Sequence, residues 1–600
     1  MNVKIVIKML TFIWIILLII PISSSKILYL DNMINSECLN SYSIENRDCN
    51  GNDGDAYNII SNAVLNINAG DIIYFRQGSY FEQLKIDKSG EQNNYIVFSN
   101  YNNELVEITG LNLRPAIDIS NTEYIDINGL KINEVTHWLY AVNTQHAIIE
   151  NNYFGKAIDS GHSQKTGLFF QEANYNKIIN NTFFDNDEDS LALIKSNHNL
   201  VQSNNFTKAW HTLWTIKCGS YNIIRNNYFH NEEEKIGEVF DCDDVGFNHE
   251  FNNILNSTKR NLVEQNIFAY TPTSGDSSPY SGIQYAGQEG IIRNNLFYNT
   301  VGPGLSLTLY ANEAKYNLKN RIYNNVFYST DFAGISLSGA SYDFYDNVLK
   351  NNLLSKSNFI ANDQRWSWYT EELDGKSIQL ISGRLDGFKF HSNNLYSDQI
   401  NDDYLITYGK RDHSNNPVQH NVEWWESNYV ELFKNNKQNE PIFQSEQIYD
   451  FHLKGNSPMI DAGEFLTFTT NSGIGDQIQV GDTLYFFDGF DIQGEHADII
   501  QLENNNELAY ILDIDHDNNM ITIDRSLIWE NNLGVSLPYS GNNVDIGAFE
   551  FDPNYEIPTP IPCEVVTKTE LLNNINECKK GNILILELFN IIYKWKNNCS

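Results

Sequence analysis

The chain has 600 residues, more than one ordinary core accommodates, so a repeat array or several domains is expected. Its hydrophobic fraction of 41% suffices for folding, and plentiful Asn, Ile, Tyr and Phe favour strands joined by polar turns. A formal charge of −36 repels nucleic acid and anionic membranes, which excludes them as partners, and leaves polyanions admissible only at a local basic patch.

In chain order, residues 1–25 come first. Lys4 and Lys8 form a basic start, an apolar run reaches Ile22, and Ser23 to Ser25 follow. This predicts a cleaved secretory signal and a secreted or surface-associated protein. Export permits disulfides. Cys38 and Cys49 are spaced to close a small loop, while Cys218, Cys242, Cys563, Cys578 and Cys599 lie far along the chain. The absence of a C-x-x-C pair argues against a structural zinc site.

The middle of the chain repeats. "NNYF", "NNTF", "SNNF", "NNYF", "QNIF", "NNLF" and "NNVF" end at Phe154, Phe183, Phe206, Phe229, Phe268, Phe297 and Phe327, at intervals of 29, 23, 23, 39, 29 and 30 residues. Such intervals mark a solenoid. Each unit has an Ile/Val strand before the Asn pair and a second strand after it, as in "GLFF", "GIQY" and "GLSL". Short strands with Asn at the bends describe a parallel β-helix, and the apolar period of 3.6 that helical repeats need is missing. Asn tolerates the left-handed backbone and its amide can bond the Asn of the next coil, with Phe filling the interior.

With "DAYNIISNAVLNINAGDIIYFRQGSYFEQLKI" (55–86) as a capping helix and first coil, and "GNSPMIDAG" (455–463) and "DIGAFE" (545–550) as closing strands, the chain resembles the right-handed parallel β-helix proteins of the pectin-lyase-like superfamily. The expected fold is all-β: a right-handed parallel β-helix over 26–463, an inserted small β domain at 464–540 and a closing strand at 541–553. A Pro-rich linker (554–563) and a helical hairpin (564–600), a docking or anchoring module, complete the chain. "DIDHDNNMITID" (513–524) imitates a calcium loop but has Asn518 where glycine is needed, and reads as a hairpin turn.

Two Ile-Lys pairs, ending at Lys195 and Lys217, invite a chemical reading. Aligning "LFFQEA", "LALIKS", "LWTIKC" and "EVFDC" puts Glu172, Lys195, Lys217 and Asp241 at equivalent places in four coils. Coils stack about 4.8 Å apart, and two ammonium groups about 6 Å apart repel by roughly 3 kcal/mol at an effective dielectric of 20. That is one route to a lysine base. Strict alternation after Leu191 and Leu193 would carry Lys195 inward, which is too costly unpaired; either a turn after Leu193 exposes it, or the file is an internal ladder with Glu172 and Asp241 neutralising the lysines.

The "IKS" segment is similar to the lysine-bearing segment of the chondroitinase B and alginate lyase family. That resemblance implies β-elimination on a uronic-acid polymer, with Lys195 as base and Lys217 or His211 assisting at the leaving oxygen. It also implies calcium on acids preceding the lysine, here Glu188 and Asp189, though Ser190 stands where another acid is expected. Trp210, Trp214 and Trp138 offer stacking faces for sugars. Under every reading a monomer with a polysaccharide or cell-surface glycan as partner is expected, and two alternatives stay open: a non-catalytic surface adhesin or glycan-binding β-helix protein, and a glycoside hydrolase using Asp243 and Asp244.

Overall fold

The computed structural model describes residues 25–158, 166–230, 235–240, 258–269, 281–300, 302–308, 316–330, 333–338, 343–357, 379–381, 385–398, 405–408 and 418–557. The expected signal segment, Asp241 to Asp244 and the expected C-terminal hairpin lie outside them. Within them, three long parallel sheets wrap one core. The first has 15 strands, the second 12 and the third 13, and the chain visits them in that order in every coil. Thus Lys177–Ile179, Thr182–Asn186 and Leu191–Ile194 make one circuit, and Leu200–Gln202, Asn205–Ala209 and Thr212–Lys217 make the next. The helix Ile60–Leu65 packs at the N-terminal end, and the disulfide Cys38–Cys49 closes the loop before it.

The two-residue bend between first and second sheets explains the Asn pairs. Its first residue is left-handed, as at Asn180 (φ 57°) and Asn226 (φ 55°). Its second is buried and bonds along the stack: the Asn204 backbone N–H donates to Asn227 Oδ1 at 2.9 Å, and Asn227 does the same to Asn266. A parallel ladder through Asn176, Asn199, Asn222 and Asn261 seals the bend between third and first sheets. The repeat phenylalanines stack face to face inside, 4.2 Å apart between Phe183 and Phe206 and 5.0 Å between Phe206 and Phe229. The ladder of Asn pairs and the interior phenylalanines follow the sequence prediction; the ladder through Asn176, Asn199, Asn222 and Asn261 belongs to no motif read there. Asn227→Leu strips buried partners from two coils, and a loss of about 3 kcal/mol is expected in urea denaturation. A loss below about 1 kcal/mol would show that the ladder is not a stabilising device.

The outer faces of two sheets are covered. A six-stranded antiparallel domain spanning Thr467–Ser536 lies on the first sheet. Its Tyr485, Phe486 and Phe487 pack on the outward Leu262, Ile291 and Tyr323. "DIDHDNNMITID" is a hairpin there, its turn held by Asp515 accepting from the backbone N–H groups of Asp517 and Asn518. Residues 443–463 and 544–551 cover the second sheet, with Met459, Ile546 and Ala548 against Leu296, Val326 and Leu353. "GNSPMIDAG" and "DIGAFE" are therefore turn-rich covering segments and not the closing strands expected. Their burial of Asp545 and Glu550 side by side has a cost. Burial, and then the neighbouring Asp545 charge, push the Glu550 carboxyl up to about 8. Burial likewise pushes Asp545 up to about 6.

A carboxyl whose folded pKa is raised contributes stability that is complete below its unfolded value and lost as pH climbs through the folded one. Thermal stability is therefore expected to fall between about pH 4.5 and about pH 8, and Glu550→Gln to flatten that slope. Melting curves of the two proteins across this window check it; parallel slopes would refute it.

Candidate active site

The third sheet presents a different outer face. Facing inward are Leu191, Leu193, Trp214 and Ile216, all in the core. Facing outward in successive coils are Phe169, Ala192, Thr215 and Glu238 in one file, and Gln171, Ile194, Lys217 and Phe240 in the next. The early coils of this face are apolar, with Phe169, Ala192 and Ile194 forming a small cluster. From Thr215 onward the face turns polar and stays buried, through Glu238 to Gln284.

The register corrects the alignment of the two lysines. Every coil here advances by 23 residues: Leu168 pairs with Leu191, Ile194 with Lys217, and Lys217 with Phe240. Lys195 and Lys217 are separated by 22, so they occupy different columns. A one-residue offset on a pleated strand changes the face a side chain points to. Lys217 projects from the outer face and is buried. Lys195 ends the strand in the left-handed region (φ 50°), where its backbone N–H donates to the Lys217 carbonyl. This is the turn that exposes Lys195 in part. Glu172 (φ 53°) occupies the same corner one coil earlier and is exposed. Its file therefore contains Lys195 but not Lys217, and the expected partner Asp241 lies outside the described residues.

Trp214 is also corrected. It is 0% exposed and packs against Phe229, so it offers no face to a sugar. Trp138 is buried in the same way. Trp210, 45% exposed, remains on the surface at the bend leading into Thr212–Lys217.

That bend holds the chemistry. Glu188 and Asp189 stand where the chain turns from second to third sheet, and His211 and Thr212 occupy the same places one coil later. Asn186 fixes the first bend by accepting from the Glu188 backbone N–H at 2.8 Å and from Thr166 Oγ1 at 2.6 Å. Asp189 is fully buried and its Oδ1 is bonded to His211 Nδ1 at 2.6 Å and to Thr212 Oγ1 at 2.9 Å. Burial alone would push this carboxyl up; the His211 hydrogen bond, and then the charges of His211 and Lys217, outweigh it and hold it low. Burial depresses His211, and its hydrogen bond and ion pair with Asp189 overcome that and raise it.

Lys235 lies beside Thr212 in the following coil and pairs with Glu238 at 2.8 Å. Both Lys217 and Lys235 approach the Phe240 ring, at 5.8 and 6.0 Å from its centroid. Thr215 Oγ1, Asp189 Oδ2 and Glu238 Oε2 are buried with no hydrogen-bond partner among the described residues. A buried polar group costs about 1–3 kcal/mol when left unpaired, so groups converging on one face in this way are poised for a ligand. Sequence reasoning missed Lys235 and Glu238, which belong to no motif. The 23-residue period would have found them, since it carries Thr212 to Lys235 and Thr215 to Glu238.

Glu188, Asp189 and His211 place one ligand atom each within 4.8 Å of one another, a cluster compatible with a divalent cation. Calcium, expected from the resemblance, takes six to eight oxygens. Two carboxylates and an imidazole, with the Lys217 charge acting on Asp189, offer fewer oxygens than calcium takes.

A family model described as a right-handed beta helix region matches residues 115–268. No curated protein matches the sequence. Among solved structures, the pectate lyase Pel9A is similar at 12% identity and a TM-score of 0.35, over 89% of this chain and 98% of that one. A GH136 lacto-N-biosidase from Eubacterium ramulus is similar at 12% identity and 0.39, over 54% and 64% of the two chains. The PL6 family polysaccharide lyase Pedsa3628 from Pseudopedobacter saltans is similar at 16% identity and 0.32, over 49% and 82%. The coils that carry Asp189, His211 and Lys217 thus all lie within the segment that matches a right-handed β-helix.

Proposed function

We propose that the protein is a secreted enzyme acting on a sugar polymer, a polysaccharide lyase that cleaves a uronic-acid chain by β-elimination. One observation carries this reading: a half-buried histidine oriented by a buried aspartate lies within electrostatic reach of two buried lysines, the Lys217 charge acting on Asp189 and the Lys235 charge on His211. β-Elimination needs positive charge at the uronate carboxylate, a base for the proton on C5 and an acid at the departing O4. In this scheme Lys217 neutralises the carboxylate. His211 Nε2 takes the C5 proton, and Asp189 stabilises the imidazolium that forms. The C4–O4 bond breaks as the C4–C5 double bond forms, and Lys235 protonates O4. The register leaves Lys195 out of line with Lys217, so the proton transfer is assigned to His211. The disulfide Cys38–Cys49 supports export.

The test is incubation with alginate, pectate and glycosaminoglycans while following the ultraviolet absorbance of the unsaturated product. Appearance of absorbance with chain shortening supports the lyase. Glycan binding with no turnover would identify a non-catalytic binder, and reducing ends without absorbance would identify a hydrolase. Trp210 is expected to hold a sugar ring outside the reacting atoms. Trp210→Ala should raise KM roughly tenfold with kcat nearly unchanged, and a matching fall in kcat would refute that role.

A further inference from the structure

A second site lies on another side of the molecule, where the six-stranded domain meets the coil stack. A cavity of about 810 Å³ opens there, large enough for several sugar rings. Its floor is a file of left-handed corner residues whose sign alternates from coil to coil: Arg260, Glu289, Lys319 and Asp346. Earlier in the stack the same corner carries the stacked rings of Tyr124, His146, Tyr175, His198 and Tyr221. Most of the floor's charge is paired, and the Lys319 charge falls on Glu289, which Arg260 already holds. Arg260 pairs with Glu289 at 2.8 Å, Arg321 with Asp482 at 2.8 Å, and Lys389 with Asp346 at 2.9 Å.

The domain's side of the cavity supplies the half-buried Phe468 ring and the hydroxyl of Thr470. His391 also lines it, and its buried Nε2 has no hydrogen-bond partner among the described residues. Burial, and then the nearby Lys350 charge, push this imidazole down to about 4, so it stays neutral in ordinary buffers.

We infer that this cavity binds a neutral oligosaccharide. A net-charged ligand finds no surplus of opposite charge on such a floor. Sugar hydroxyls both donate and accept, and acids and bases alternating about every 4.8 Å offer that pattern in sequence. Phe468 adds an apolar surface of the kind that sugar rings cover. The inference does not rest on the third-sheet chemistry, because the residues of that cluster are absent from this cavity's lining.

The experiment is calorimetric titration of the full chain with xylotetraose, cellotetraose and mannotetraose, with a tetrauronate as the charged contrast. One neutral tetrasaccharide is expected to bind more tightly than the tetrauronate. Phe468→Ala should weaken that binding at least tenfold, and the exposed Lys319→Gln at least threefold. His211→Asn should leave it unchanged, which separates this site from the lyase reading. Should Phe468→Ala fail to fold by circular dichroism, Lys319→Gln decides. No neutral binding, tighter binding of the tetrauronate, or Lys319→Gln binding as tightly as the unaltered chain would each overturn the inference.

Discussion

His211→Asn is expected to lower kcat on the cleaved polymer roughly 10²–10⁴-fold while leaving KM within about threefold. The side chain accepts or donates at Nε2 and is aimed by the 2.6 Å bond from Nδ1 to Asp189. Asparagine preserves a polar contact to the carboxylate but carries no titratable nitrogen. Asp189→Asn tests the same unit from behind. It keeps the shape and removes the charge that raises His211, so the acid limb of the activity profile, where the His211 base becomes protonated, should move to lower pH. Activity within about threefold of the unaltered protein for His211→Asn would end the assignment.

Arg293→Ala should cost about 3–5 kcal/mol, the largest stability loss predicted for a single residue. Its guanidinium is nearly inaccessible and bonds Glu264 at 2.6 Å, Asp498 at 2.6 and 2.7 Å, and Tyr323 Oη at 3.0 Å. Arg225 completes the network, joining Glu264 and Glu495, each at 2.5 Å. Removing Arg293 takes one of two cationic partners from the buried Glu264 and leaves Asp498 with only the Phe487 backbone N–H among the described residues. Burial pushes Glu264 up, and the charges of Arg293 and then Arg225 outweigh that and hold it low. Its share of stability is therefore present above the unfolded carboxylate range and lost as pH falls. The network spans the first sheet and the six-stranded domain, so the domain should detach first. Urea denaturation followed by both tryptophan fluorescence and far-ultraviolet dichroism should then show two transitions in the variant. A single transition displaced by less than about 1 kcal/mol would refute the role.

The scaffold was legible because its grammar is periodic. The Asn pairs and the phenylalanine after them recur through the middle coils, and each found the bend or core position that its chemistry requires. The site was less legible for two reasons. In "TLWTIK" every residue is buried, since the strand is packed on both faces, so alternation between inner and outer faces disappears from the sequence. Trp214 then looks no different from a surface ring. The two lysines were misaligned by a single residue, because matching "IKS" to "IKC" follows letters where the coil follows a count of 23. Glu188, Asp189 and His211 were each visible, but only the stacking of consecutive bends brings Asp189 against His211. The docking of the six-stranded domain was not legible at all. Arg293 and Asp498 are 205 residues apart, and nothing local announces that they meet.

The constant step through the site has a practical reach. From Leu168 to Phe240 each rung offers its successor the same template of amide, ring and hydrogen-bonding edge. Shortening the chain by one whole rung, for instance residues 177–199, would splice like onto like. Elsewhere the interval between coils varies, at 29, 30 and 39 residues, without loss of register; within this uniform stretch a deletion of one full rung is the large change the molecule is built to survive.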